Sequence, residues 1–157
     1  MNTARKLAII CMGLWLGGIF FFAAGVAPSV LDVLTPVQHG RGLAADIVGR
    51  SILTLHITGV VCGIVALIVL LLDRVHDKIA IPLIGLAVAL TLFSQFGVVS
   101  RMKNLHPEGL RFSELPQDDP RLEEFRSLHT VSTVMEGVIF LCGAVALYRM
   151  GGSPRES

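Results

Sequence analysis

Residues 125–137, Phe125-Arg126-Ser127-Leu128-His129-Thr130-Val131-Ser132-Thr133-Val134-Met135-Glu136-Gly137, carry titratable groups straight into an apolar run that ends near Tyr148. On a helix His129, Ser132 and Glu136 fall at spacings of three, four and seven and share one face. At ~1.5 Å rise per residue Glu136 lies roughly 10 Å deeper than His129. A carboxylate at membrane depth costs a few kcal/mol or more, so this stripe is expected to face a bundle interior, a wet cavity or a bound cation.

The rest of the chain supplies the bundle. Of 157 residues 53% are hydrophobic and only 16% charged, with a mean hydropathy of +0.71. Soluble domains carry about 25% charged residues, so this composition is that of one integral membrane domain. Further apolar runs cover 7–28, 51–72 and 79–100, and with 128–148 they give four expected crossings. About 20 apolar residues suffice for each to cross a ~30 Å hydrocarbon layer as a helix. The basic start, Arg5-Lys6, resembles a secretory leader. The run behind it is longer than a leader's apolar region, Pro28 follows the only small-x-small cleavage point, and three more runs come after, so a first crossing is expected instead.

The expected fold is therefore all-α, a four-helix transmembrane bundle running up-down-up-down over residues 1–150, with a disordered tail at 151–157. Thr35-Pro36 suggests a helix start, and Val37, Leu43 and Ile47 suggest a short interfacial helix, or one leading into the second crossing. Asp118-Asp119-Pro120 suggests that the fourth helix begins near Pro120, beyond the bilayer. Gly13 with Gly17, Gly18 with Gly25, and Gly59 with Gly63 provide small-residue spacings for close helix approach, and through them for a homo-oligomer or a membrane partner protein. Trp15 and Phe20-Phe21-Phe22 fill the core or face lipid. Cys11, Cys62 and Cys142 form no CxxC pair and read as packing residues.

Several function classes drop out. A formal net charge of +1 leaves no basic face for nucleic acid. No nucleophile with an identifiable base, no phosphate-cradling glycine loop and no zinc-protease histidine pair stands out, so hydrolytic and nucleotide-driven chemistry is disfavoured and a non-enzymatic role is favoured over an enzymatic one. The lipid bilayer is the expected partner, in a bacterial cytoplasmic (inner) membrane. Lysine and arginine divide almost evenly between the two sides; Arg5 and Lys6, close to the first crossing, favour cytoplasmic termini.

The polar residues within the runs give the candidate site. His56 lies on the face of the second run that carries Gly59 and Gly63, and Gln95 and Arg101 lie towards the far end of the third. With His129, Ser132 and Glu136 they fall in the half of the bundle nearest the long loops. The ligand or proton site is thus expected from His56, His129, Glu136, Gln95, Ser132 and Arg101. Two histidines on different helices could hold a divalent metal or serve as axial ligands to haem; with Glu136 they could relay a proton. A polar cluster that only fixes helix register is the plainer reading. His76 and His106 read as solvated loop residues. The leading expectation is binding, or help in transport, of a proton, metal ion or small polar ligand. A haem redox protein and a structural or assembly subunit are the alternatives.

Two motifs add a resemblance. Leu14-Trp15-Leu16-Gly17-Gly18 followed by Val26-Ala27-Pro28, and Phe125-x-x-Leu128-His129-x-x-Ser132, resemble the transmembrane protein 205-like family, whose bacterial members are classed as domain of unknown function 4149. The resemblance implies a small four-helix membrane protein without an established biochemical activity. Family members often carry asparagine seven residues after the histidine, where this chain has Glu136. The plan is also similar to that of four-helix haem proteins of membranes.

Overall fold

With few polar side chains to solvate them, the backbone groups of the apolar runs must bond within their own segments, and a helix does this completely. The computed structural model describes residues 3–37, 40–72, 77–105 and 119–152. His76, His106 and the tail beyond 152 lie outside them. Among the described residues four helices are long and apolar enough to cross a membrane: α1 (Thr3–Leu34), α2 (Gly40–Leu72), α3 (Ala80–Leu105) and α4 (Pro120–Gly151). They form an all-α four-helix bundle, and the protein is an integral membrane protein.

The ends follow local chemistry. Thr35-Pro36 closes α1 rather than opening a helix, for the Thr35 N–H donates to Leu31 O (2.9 Å) and Val37 N–H to Leu34 O (3.0 Å). The residues expected as a separate interfacial helix are, from Gly40 on, the first turns of α2, which continues to Leu72 without a break. Asp119 caps α4, its carboxylate accepting from the Arg121 N–H at 2.9 Å, with Pro120 in the first turn. Asp77 caps α3, accepting from the N–H groups of Ile79 and Ala80 at 3.0 Å each. Arg5 caps the other end of α4, donating to the carbonyls of Met150 (2.6 Å) and Gly152 (2.8 Å), where cations suit the helix dipole.

Packing turns on one tryptophan. Trp15 is 2% exposed and lies over the glycine face of α2: a methyl group at Gly59 would come within 2.1 Å of Trp15 Nε1, and one at Gly63 within 2.4 Å of Val88 Cγ2. The small residues of α2 thus admit an indole from α1 and a side chain from α3. Gly18 meets Leu55 of α2, whereas Gly13 and Gly17 face open space and Gly25 meets only Phe21 of its own helix. The reason is rotational, since Gly18 and Trp15 share the face turned to α2 and leave Gly13 and Gly17 beside it. Met12, Ile84, Ile139, Ala146 and Met150 complete an apolar core towards the end of the bundle where Arg5 meets Met150. Cys62 is buried within it, and Cys11 and Cys142 pack against it as free thiols.

The helices contact one another around a ring, α1 on α2, α2 on α3, α3 on α4 and α4 on α1. Contacts step backwards along one helix as they advance along the next. Asp77 at the start of α3 pairs with Arg149 at the end of α4 (3.6 Å), and Arg101 near the end of α3 pairs with Glu124 near the start of α4 (2.6 Å).

Two stretches depart from α geometry. At Phe22–Val26 the Ala27 N–H reaches back five residues to Phe22 O, just before Pro28, which has no N–H to give. The second, Ser94–Val99 in α3, carries Gln95.

Candidate intramembrane polar site

His56 enters the bundle from α2 at 3% exposure, among residues that offer almost nothing polar. Its two ring nitrogens are met from two other helices. Nδ1 lies 2.8 Å from Gln95 Oε1 on α3, and Nε2 lies 2.5 Å from Glu136 Oε1 on α4. An amide oxygen only accepts, so Nδ1 carries a proton and donates to Gln95. The Nε2 contact then holds one proton between two basic atoms. Imidazolium facing carboxylate and neutral imidazole facing carboxylic acid are the two forms of this pair, and both are neutral overall.

Each partner is aimed by local structure. Glu136 stands one turn before Ile139, the first buried residue of α4, where that helix closes on the core. Its side chain is 26% exposed, so one edge of the pair is not enclosed. Gln95 belongs to the π turn of α3; such turns rotate the residues behind them off the α-helical face and are frequent at functional sites. Ser94, one residue earlier, is 0% exposed with its hydroxyl unpaired among the described residues. One turn before it Thr91 bonds its own helix at Ala87 O (2.8 Å), the ordinary arrangement for a helical hydroxyl. Ser94 was missed from the sequence, although polar residues at 91, 94 and 95 in an apolar run were a signal for it.

The other three candidates stand apart. His129 is exposed and stacks parallel to Phe125, with ring centroids 6.5 Å apart. It shares a face with Glu136 by spacing, but no residue of α4 before Ile139 is buried, so the histidine never reaches the core. Ser132 is half-buried and makes no bond to the pair. Arg101 binds Glu124 through Nε at 2.7 Å. Glu124 precedes Glu136 by twelve residues, roughly 18 Å of helix rise, and the register of α3 on α4 puts Arg101 beside the nearer acid.

This geometry does not suit a haem ligated by His56 and His129, because both nitrogens of His56 are engaged and His129 is turned outward. Among the described residues no group of three or more His, Cys, Asp and Glu side chains stands close enough together to hold a metal ion.

Fold and cluster together define the class: a four-helix integral membrane protein with an ionisable pair inside the bundle. A family model described as "Domain of unknown function (DUF4149)" matches residues 10–111. That is well over half of the 157-residue chain, and the protein belongs to this family. The matched residues include His56 and Gln95, and Glu136 lies beyond them. No curated protein and no solved structure matches the chain.

Proposed function

We propose that this is a non-enzymatic binding protein of the bacterial inner membrane, in which His56, Gln95 and Glu136 form a site that holds an exchangeable proton and receives a small polar group. The chain crosses up-down-up-down, with both termini on the cytoplasmic face that Arg5 and Lys6 favour. The observation that carries the reading is the bracketing of His56 by an amide from α3 and a carboxylate from α4. Charged groups inside spanning segments are costly and commonly mark ligand sites or proton relays. Binding is favoured over conduction through a single copy, because among the described residues the bundle beyond the site is filled by apolar side chains, Trp15, Met12, Ile84 and Ile139.

Infrared difference spectroscopy of the protein in lipid nanodiscs, taken across a pH titration, tests the reading. An infrared signature of the proton shared between His56 and Glu136, changing in step with the His56 ring nitrogens followed by NMR, is the expected result. A difference spectrum left unchanged by Glu136→Gln would sink it.

A further inference from the structure

The pair offers a ligand one group. His56 has no free nitrogen, and Glu136 uses Oε1 on His56, so Oε2, unpaired among the described residues, is what remains. It is a hydrogen-bond acceptor on a cluster with no net charge. A neutral donor suits it; an ionic head would have to leave water for a cluster whose own charges already cancel.

On the outside of the bundle, α4 carries apolar residues onward from Glu136. Glu136, Phe140 and Ala144 recur every four residues and share one face of α4, beside the buried face of Ile139 and Gly143. Phe140, Ala144 and Tyr148 form one wall of a groove of about 500 Å³, and Gly13, Gly17 and Phe20 of α1 form the other. The volume falls within the ~300–1,000 Å³ usual for small-molecule sites. A methyl group on Gly13 or Gly17 would meet nothing within 4 Å, so the groove is open where those glycines stand. It begins one turn below Glu136 and runs to Tyr148, which is 82% exposed at the end of α4. The whole length belongs to membrane-spanning helices, where a visiting molecule arrives from the lipid phase.

Resting on the proposed site, we infer that its ligand is a membrane-borne lipid with one long apolar tail and a neutral hydroxyl head, the hydroxyl donating to Glu136 and the tail lying in the α1/α4 groove. The apolar walls leave the tail no polar surface to desolvate. The head donates a hydrogen bond to the acceptor that the pair leaves over, and His56, held by Gln95, keeps that acceptor in place.

The probe is dodecanol, compared with dodecyl methyl ether, which cannot donate, and with dodecylammonium, which is charged. Binding is read from the concentration dependence of the thermal midpoint of detergent-purified full-length protein, because a ligand that binds only the folded state raises it. Dodecanol is expected to bind at least tenfold more tightly than the ether or the ammonium. Glu136→Leu should abolish the preference for the alcohol, and Gly13→Leu with Gly17→Leu, whose Cβ atoms meet nothing within 4 Å, should fill the groove and weaken dodecanol at least tenfold. Equal binding of alcohol and ether, preference for the ammonium, or indifference to groove filling would each overturn the inference. The infrared spectra of the unaltered protein separate the two claims: if the signature of the shared proton is present while these results fail, only the lipid ligand is lost; if it is absent, the site itself is refuted.

Discussion

Replacing Glu136 by leucine sets two opposed effects against each other. The substitution strips a bond to a charged or charge-sharing group, worth about 1.5–3 kcal/mol, and leaves Nε2 of a 3%-exposed histidine unpaired, at about 1–3 kcal/mol more. It also removes an acid from membrane depth, which recovers about 2.5–3.5 kcal/mol on insertion scales. The single variant is therefore expected anywhere from about 1 kcal/mol more stable to about 3.5 kcal/mol less stable than the parent, and its stability alone decides nothing. The double-mutant cycle decides. His56→Leu leaves Gln95 without its donor in both the single and the double variant, so that loss cancels, and the remaining coupling energy reports the 2.5 Å contact. Hydrogen bonds between membrane helices average about 0.6 kcal/mol by such cycles, with a maximum near 1.7. A pair sharing a proton should exceed that average and give about 1.5–3 kcal/mol, with the double variant more stable than the sum of the singles. Unfolding in mixed detergent–SDS micelles, followed through Trp15, the only tryptophan, measures all four proteins. A coupling energy below about 0.5 kcal/mol would refute the pair as an energetic unit.

Three further outcomes are expected. Gly59→Ala should destabilise by about 1–3 kcal/mol through overpacking against Trp15, while Gly13→Ala, facing open space, should be neutral or stabilise by up to ~1 kcal/mol; the same SDS titration checks both. Burial would raise the Asp77 carboxyl, but the N–H donors of Ala80 and Ile79 and the Arg149 charge outweigh it and hold it below its ordinary value. Its contribution to stability is thus complete above the ordinary carboxylate range and drains away as pH falls through the depressed folded-state value, so Asp77→Asn should flatten the acid limb of the stability curve. With both His56 nitrogens engaged, protein expressed with added haem should show no Soret band; a band abolished by His56→Leu would contradict that geometry.

The architecture was legible because it rests on one-dimensional quantities. Apolar runs of membrane-spanning length can satisfy their backbone only as helices, and Asp119-Pro120 marks the start of α4 by chemistry confined to neighbouring residues. The inward turn of His56, Gln95 and Glu136 could be anticipated for a similar reason, since each lies deep in an apolar run where lipid would penalise it. Spacing failed for His129, because a shared helix face does not reveal where along its length the helix meets its neighbours. It failed for Arg101 because choosing between Glu124 and Glu136 needs the register of α3 on α4, which is set by packing.

The amino-acid sequence by itself determined that this protein is four membrane-length helices carrying a few misplaced polar groups, because solvation and backbone bonding act residue by residue along a chain. Only the tertiary structure decided which of those groups meet. Trp15 seated on Gly59 and Gly63, the π turn at Ser94–Val99 and the height at which α4 closes on the core select His56, Gln95 and Glu136 and leave His129 outside. These are relations between helices far apart in the chain, and no spacing within one helix contains them.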